Sequence, residues 1–292
     1  MRQLAYLAWD PDPGMFAFDL PLLHRPILWY GFFFALGFFV GYLVLTSLLR
    51  RYFNKDDQCN KKASKTAEQL LLYVLIGAVI GARLGDVLFY QSFAQLMRDP
   101  LSIIAVWEGG LASHGGAAGI LIALYLYSKR QKIPFWRAVD FTVIPTALAA
   151  VFIRLGNFFN QEILGTPTTL PWGILFLHPA DGGAVVPRHP AQLYEALGYL
   201  CVFAILLRHF RRHPPFLSAG KLTGLFLILL FGVRFCIEFI KVEQSVHLSS
   251  QTALLTMGQM LSIPFILLGC YLCFRRQSVA GARGKGQAPH LP

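Results

Sequence analysis

Charged residues are scarce in this sequence: they make up 14% of its 292 residues, whereas hydrophobic residues make up 55%. A soluble domain of this length does not need so apolar a composition. Lys and Arg outnumber Asp and Glu, giving a net charge of +11, which on a soluble protein would suggest a nucleic-acid partner. Here the basic residues lie in short loops between apolar runs. The composition therefore predicts a membrane protein that sits in a lipid bilayer and has no nucleic-acid partner.

Several signatures of catalytic and cofactor chemistry are also absent. The sequence contains no G-x-S-x-G, which argues against a serine hydrolase even though His114 and the two glycines after it are similar to an oxyanion-hole stretch. No histidine has an aspartate five residues on, so an acyltransferase motif is missing as well. The odd number of cysteines, 5, includes one C-x-x-C, at Cys270 and Cys273, without a second pair. We expect free thiols, no metal site and no cofactor.

Long apolar runs, in contrast, are abundant. Seven runs have about the 20 residues that a helix needs to cross a bilayer. We therefore predict an all-α polytopic membrane protein with seven transmembrane helices, four within 27–158 and three within 191–274. The runs are 27–49, 68–90, 109–128, 138–158, 191–207, 221–240 and 252–274.

Glycines recur at four-residue spacing inside these runs. One run carries Gly77, Gly81 and Gly85, and the next carries Gly115 and Gly119. Small residues at this spacing let helix backbones approach closely in membranes. We interpret these glycines as packing positions of a tight bundle.

Three other segments lie outside the predicted helices. Residues 1–26 mix prolines, acidic residues and aromatic residues; we predict an external arm along the membrane surface, in which no cleavable signal peptide is visible. Residues 159–190 are rich in Pro, Gly and Thr, and we expect a small folded external cap. Residues 275–292 are small and polar, which is typical of a disordered tail.

The distribution of basic residues predicts the orientation. Most of the 26 Lys and Arg residues fall at 50–65, 129–137, 208–221 and 275–285. Because Lys and Arg accumulate on the cytoplasmic side of membrane proteins, the N-terminus should be external and the C-terminus cytoplasmic. The cap and the end of the fourth helix would then lie on the external side.

The stretch Val151–Gly165, VFIRLGNFFNQEILG, concentrates polar side chains at the end of an apolar run. An arginine at the centre of a membrane helix costs about 2.5–3.5 kcal/mol, so an unpaired one must face protein, water or an anionic ligand. Arg154 and Asn157 are three residues apart and should share one helix face. The plain alternative is an arginine that snorkels to the interface. The donor-rich face favours a phosphate ligand.

Further polar residues lie in or beside other predicted helices. Arg83 and Asp86 could neutralise each other as a structural pair. His114 lies among glycines, where a ligand or a neighbouring backbone can approach it. Arg234 and Glu238 have the i, i+4 spacing of an arginine that is oriented by a carboxylate. Arginines that converge near the external side would bind the phosphate of an outer-leaflet lipid. Gln192 and Glu195 share a face near the same end of the fifth helix.

These stretches, in this order, resemble the prolipoprotein diacylglyceryl transferase family of bacterial inner membranes. The signature is R-x-G-N-F-x-N-x-E-x-x-G, and it is matched from Arg154 to Gly165. Similar stretches are W-Y-G from Trp29, H-G-G from His114, R-H-P-x-Q-L-Y-E from Arg188 and R-x-x-x-E from Arg234. Two departures are visible, since Ile153 replaces a usual glycine and Leu230 a usual tyrosine.

The resemblance implies an enzyme that transfers the diacylglyceryl group of phosphatidylglycerol to the lipobox cysteine of a preprolipoprotein, without metal or cofactor. A thioether forms and glycerol 1-phosphate leaves. We expect Arg154 and Arg234 to stabilise the leaving phosphate, with Glu238 orienting Arg234. His114 is the candidate base for the thiol, or a group that positions the headgroup. The expected substrate-binding residues are Tyr30, Asn157, Asn160, Glu162, Gly165, Gln192, Glu195 and Glu238.

One function of a different class fits the same polar residues. Arginines and a histidine inside a membrane bundle can line the path of an anion through a transporter. Such a protein should show inverted repeats between its halves, which the sequence does not display. It should also bind labelled lipid without forming product.

Overall fold

The computed structural model describes residues 6–12, 14, 28–53, 57–92, 97, 99–104, 110, 112–212, 218–242 and 255–275. Most of the expected arm (1–26) and all of the expected tail after residue 275 lie outside the described residues. Long helices dominate the part that is described, and short 3₁₀ turns occur at Pro100–Ile103 and Glu238–Ile240. The helices are α1 Trp29–Tyr52, α2 Asp57–Phe89, α3 Ser113–Arg130, α4 Phe135–Phe159, α5 Ala191–Arg212, α6 Lys221–Ile237 and α7 Met257–Phe274.

The all-α polytopic fold predicted from the apolar runs is confirmed. Among the described residues, 6 helices are long and apolar enough to cross a membrane, all of those above except α3. Helix α3 has 18 residues, but it opens with Ser, His and Gly and closes with Lys and Arg, which lowers its hydropathy. Large apolar side chains such as Leu72, Ile76 and Ile80 on α2 are exposed, as expected of side chains that face lipid.

Some helices extend beyond the apolar runs that predicted them. Helix α2 begins at Asp57, about three turns before the predicted start at 68, and α5 continues to Arg212 instead of 207. The added residues include Lys, Arg, Gln and Ala, which have high intrinsic helix propensity. Hydrophobicity marks the segment inside the bilayer, whereas propensity lets the helix continue into water.

The chain divides into two compact units. The first comprises Met1–Gly41, Val143–Leu217 and Lys221–Arg276, and the second comprises Tyr42–Thr142, Ser218–Gly220 and the C-terminal residues. The polar stretch that begins at Arg154 belongs to the first unit.

In the second unit, α2 packs closely on α3 through the spaced glycines, as the sequence predicted. A Cβ added to Gly85 would lie 2.7 Å from the Cα of Gly115, and one added to Gly81 would lie 2.7 Å from the Cα of Gly119. Real Cβ atoms do not approach this closely. The two backbones are therefore in direct contact, and only glycine fits between them.

The second unit also contains the predicted pair of Arg83 and Asp86, whose charged atoms are 3.6 Å apart. The Arg83 guanidinium donates to the backbone oxygens of Ser102, Ile103 and Gly110 as well. This arginine is buried and holds the connection after α2 against the helix. The structural role that the spacing suggested is thus confirmed.

In the first unit, residues 159–190 form a folded cap, part of which is a three-stranded sheet. Its strands are β1 Leu7–Trp9, β2 Ile174–Phe176 and β3 Pro187–Arg188, with β2 in the centre, parallel to β1 and antiparallel to β3. The expected interfacial arm therefore contributes a strand to the cap. The Trp9 indole donates to the backbone oxygen of Phe158, at 3.1 Å. Trp9 and the end of α4 thus share a core with Leu164, Ile174 and Phe176.

Helices α5, α6 and α7 pack in sequence in the same unit. Helix α7 begins with a capping box in which the Thr256 side chain accepts from the Gln259 amide and the Gln259 side chain accepts from the Thr256 amide. Helix α6 ends at Ile237 and tightens into the 3₁₀ turn Glu238–Ile240. This change of helix type sets the direction of the charged side chains described below.

Candidate functional site

The site is built on a tight turn that follows α4. Gln161 and Ile163 have φ angles of 53° and 57°, in the left-handed region that a β-branched residue such as isoleucine rarely adopts. The turn folds Glu162 back toward α4, where its carboxylate accepts hydrogen bonds from the side chains of Asn160 at 2.6 Å and Asn157 at 3.4 Å. The backbone thus carries strain at the point where it assembles this cluster.

Arg154 is held from two directions. Its Nε lies 2.7 Å from a carboxylate oxygen of Glu195 on α5, and its Nη1 donates to the Asn157 side-chain oxygen at 2.9 Å. Asn157 and Glu195 are buried, and Glu195 has 0% exposure. The shared helix face predicted for Arg154 and Asn157 is confirmed. The snorkelling alternative does not describe this arginine, because its guanidinium is paired inside the protein.

Tyr199 on α5 lies beside Arg154, the first arginine of the predicted clamp. The Arg154 guanidinium lies over the Tyr199 ring, 5.9 Å from the ring centroid. Arg234 on α6 interacts electrostatically with the same tyrosine. Tyr199 is buried, and its hydroxyl donates to Glu195 at 3.5 Å. Tyr199 and Glu195 therefore both contact the Arg154 guanidinium from α5.

The expected pairing of Arg234 with Glu238 is wrong. The Glu238 carboxylate lies 3.2 Å from the Nζ of Lys241, and Arg234 makes no ion pair or hydrogen bond within the part of the chain that the structure describes. An i, i+4 contact requires an α-helix through residue 238, but α6 ends at Ile237 and a 3₁₀ turn follows. Lys241 also approaches Glu195, at 3.5 Å.

Two other predicted residues, Gln192 and Tyr30, belong to the same unit and adjoin the cluster. The buried Gln192 side chain donates to the backbone oxygen of Glu162 at 2.6 Å. Its own side-chain oxygen has no hydrogen-bond partner among the residues described. Tyr30 on α1 packs on Gly156, where an added Cβ would lie 2.9 Å from the Tyr30 ring. Tyr30 also interacts electrostatically with Glu162 and Arg154.

Gly165 lies where two backbone segments meet. It pairs with Lys241 in an isolated β-bridge, and its amide donates to the backbone oxygen of His189 at 3.2 Å. A Cβ at this position would clash with His189 and would come within 3.0 Å of the Ile240 oxygen. Glycine is therefore required for this close approach, and it fixes the position of the segment that carries Lys241.

His114 and Arg188 lie elsewhere. His114 is the second residue of α3, in the second unit, and its exposed ring packs against Phe89 and Tyr90 at the end of α2. Arg188 is an internal cap residue, because its guanidinium bonds Asp181 at 2.8 Å and the Ala184 oxygen at 3.0 Å. Arg188 therefore stabilises the cap.

Tyr199 and Lys241 were missed by the sequence reasoning. Both carry a simple spacing signal, since Tyr199 is four residues after Glu195 and Lys241 is three residues after Glu238. Such spacings place polar groups on one side of a helix or of its last turn.

The cluster places the donors of the Arg154 guanidinium among amide and carboxylate groups, where an anion could bind. Within the described ranges, no group of three or more His, Cys, Asp or Glu residues could hold a metal ion. The fold and the cluster together define a multi-pass membrane protein with a buried, preorganised set of guanidinium, amide and carboxylate groups.

Comparison with known proteins identifies the class. Residues 16–275 match the family described as prolipoprotein diacylglyceryl transferase. The phosphatidylglycerol–prolipoprotein diacylglyceryl transferase of Porphyromonas gingivalis is 43% identical over 282 residues, 93% of this chain and 95% of the relative. The enzyme of the same name from Tolumonas auensis is 40% identical over 267 residues, 91% of this chain and 96% of the relative. The chain belongs to the prolipoprotein diacylglyceryl transferase family, and it is a transferase.

Proposed function

We propose that this enzyme transfers the sn-1,2-diacylglyceryl group of phosphatidylglycerol to the lipobox cysteine of preprolipoproteins, the first step of lipoprotein maturation. The observation that carries the proposal at the level of the site is the Arg154 guanidinium, held in the protein by Glu195 and Asn157. A guanidinium held in this way can offer its remaining donors to a phosphate group. Relatives over nearly the whole chain bear this activity in their names.

The reaction needs charge stabilisation on the leaving group. The cysteine sulfur forms a bond to the glyceryl carbon, the bond from that carbon to the phosphate oxygen breaks, and the thiol proton is lost. The oxygen takes the electron pair and departs as glycerol 1-phosphate, so negative charge grows on the phosphate. Guanidinium groups that are already in place stabilise this charge without reorganisation. Arg154 is held by Glu195 and Asn157, which meets that requirement.

The amides and carboxylates around Arg154 are suited to the glycerol headgroup. Glu162 can accept hydrogen bonds from headgroup hydroxyls, while Asn157 and Asn160 keep its carboxylate in place. The unpaired side-chain oxygen of Gln192 offers a further acceptor, and Tyr30 a hydroxyl. Gly165 contributes through its backbone position, since any side chain there would displace the segment that carries Lys241.

His114 remains the candidate base for the thiol. A free cysteine with a pKa near 8.5 is only a few per cent ionised at neutral pH, so a base accelerates its attack. The exposed imidazole makes no hydrogen bond to any residue that the structure describes, and its ring packs edge-on against Phe89. The alternative is that His114 only positions the headgroup. The variant His114→Gln, described below, distinguishes the two roles.

The two substrates and the orientation complete the proposal. Phosphatidylglycerol would enter from the outer leaflet of the bacterial inner membrane, and the preprolipoprotein would present its lipobox cysteine to the same side. The N-terminus and the cap would be external, and the C-terminus cytoplasmic. The basic loops support this orientation.

The test is to incubate the purified protein with phosphatidylglycerol and a lipobox peptide and to measure the mass of the peptide. We expect a diacylglyceryl increment that disappears with a Cys→Ser peptide and with Arg154→Ala. An unmodified peptide from folded wild-type protein that binds labelled lipid would instead favour the transporter. For the base, His114→Gln should bind lipid normally and turn over slowly; unchanged turnover would remove His114 from the chemistry.

A further inference from the structure

The charges in the first unit are unevenly paired. Glu195 contacts two cations, Arg154 at 2.7 Å and Lys241 at 3.5 Å, and Glu238 contacts Lys241 at 3.2 Å. Arg234, only four residues before Glu238, has neither an ion pair nor a hydrogen bond in the described ranges. The carboxylate nearest to Arg234 in the sequence is thus occupied by another cation.

The position of Lys241 is set by the backbone and not by its own side chain. Its amide donates to the Glu238 oxygen, and its neighbours exchange hydrogen bonds with the turn after α4: Thr166 donates to Ile240 at 2.9 Å and Val242 to Leu164 at 3.0 Å. The Lys241 side chain is only 6% exposed. The backbone around Lys241 therefore fixes the position of its ammonium group beside the carboxylates of Glu195 and Glu238.

Glu238 is held from its other side as well. Its carboxylate lies against Gly258, in the first turn of α7, where any Cβ would overlap the carboxylate oxygens. The amino end of a helix carries partial positive charge and favours an anion. Lys241 and the start of α7 therefore both contact the Glu238 carboxylate, and no ion pair joins it to Arg234 in the described ranges.

We propose that Lys241 is a positioning residue that takes up the charge of Glu238 and so leaves the Arg234 guanidinium free for the phosphate of the lipid substrate. The inference rests on the proposed function, because it concerns how the same site binds its lipid. Lys241 need not touch the substrate. It acts by preventing a competing ion pair inside the protein.

The physical reason is the cost of a buried carboxylate without a partner. Removing one member of a buried ion pair leaves a charge that must find another partner. Without Lys241, Glu238 would turn to Arg234, the basic residue nearest to it along α6. The Arg234 guanidinium would then donate its hydrogen bonds to Glu238. The lipid phosphate could bind Arg234 only by breaking that ion pair.

The experiment compares lipid affinity in four full-length proteins: the wild type, Lys241→Met, Glu238→Gln and the double variant. Affinity is measured by retention of labelled phosphatidylglycerol, which requires no turnover, and kcat/KM for the same lipid is measured alongside. Lys241→Met should weaken lipid affinity about tenfold or more, the value of a charged hydrogen bond. Lys241→Arg should retain affinity, and Lys61→Met, which removes an exposed lysine of α2, is the matched control.

The decisive comparison is between Glu238→Gln and the double variant. Once residue 238 is neutral, its side chain carries no charge for Lys241 to withhold from Arg234, so the two proteins should bind lipid equally. A double variant that binds more weakly than Glu238→Gln would overturn the proposal and assign the effect of Lys241 to its other carboxylate partner, Glu195. Unaltered affinity in Lys241→Met would overturn it as well. Wild-type protein that binds lipid but forms no product would refute the proposed function while leaving this comparison intact.

Discussion

Each charged side chain of the site depends on a particular neighbour for its direction. Arg154 uses its Nε for Glu195 and its Nη1 for Asn157, so one guanidinium spans two helices. A lysine carries the same charge but has a single ammonium group, which cannot reproduce a planar fork. Shape as well as charge is therefore needed at residue 154.

Arg154→Lys should lower kcat/KM for phosphatidylglycerol about 100-fold, corresponding to about 2.7 kcal/mol of transition-state stabilisation. The reason is that an ammonium group cannot hold both Glu195 and Asn157 and still face the phosphate. The lipobox-peptide mass assay measures the rate. Arg130→Lys, at the exposed end of α3, is the control and should match the wild type. Full activity of Arg154→Lys would mean that the site requires charge alone.

For single residues, spacing in the sequence predicts contacts within one helix turn. It does not predict contacts between residues on different helices. The i, i+3 spacing of Arg154 and Asn157 predicts their contact, which is confirmed. The pairing of Arg154 with Glu195 joins residues 41 positions apart in the numbering, and no local pattern indicates it. The Arg234 prediction failed because the change from α-helix to 3₁₀ turn after Ile237 leaves no mark in hydrophobic periodicity.

The helices and the cap are determined by two kinds of sequence signal. Apolar length predicts which segments cross the membrane, and among the described residues six of the seven predicted runs form helices long and apolar enough to do so. The strand Leu7–Trp9 is different, because three residues carry too short a pattern to predict a strand. It forms through its pairing with Ile174–Phe176, a contact between distant parts of the chain.

The contact between α2 and α3 leads to a prediction at the scale of the element. Gly81→Ala should destabilise the protein by about 1–3 kcal/mol, because overpacking a close contact forces the backbones apart. The added Cβ would lie 2.7 Å from the Cα of Gly119. The midpoint of thermal unfolding in detergent reports the change.

Gly232→Ala is the matched control for that experiment. A Cβ at Gly232 would meet nothing within 4 Å, and alanine has the higher helix propensity. This variant should therefore unfold at the wild-type temperature or slightly above it. Equal losses at both glycines would show that the effect of Gly81→Ala comes from the helix itself and not from its contact with α3.

At the scale of the whole molecule, the fold places polar loops at both ends of apolar helices. The basic residues of those loops predict which end is cytoplasmic. The cap, with its exposed Val185, and the end of α3, with its exposed Arg130, are predicted to lie on opposite sides of the membrane.

Single cysteines at these two positions test the orientation. In a cysteine-free background, Val185→Cys should react with a membrane-impermeant maleimide in intact spheroplasts, and Arg130→Cys only after lysis. Gel-shift of the labelled protein measures the reaction. Labelling with the opposite pattern would reverse the predicted orientation and place the proposed site on the cytoplasmic side.

The bridge between Gly165 and Lys241 has a consequence for biosynthesis. The turn after α4 leaves the ribosome long before the segment that completes it, and its backbone groups at Leu164 and Thr166 find their partners only in residues 240–242. A nascent chain that stops after the fifth helix therefore has the signature motif but not the charge balance around Glu195. Competence to bind lipid should appear as a single late event in synthesis, when the sixth helix has entered the membrane.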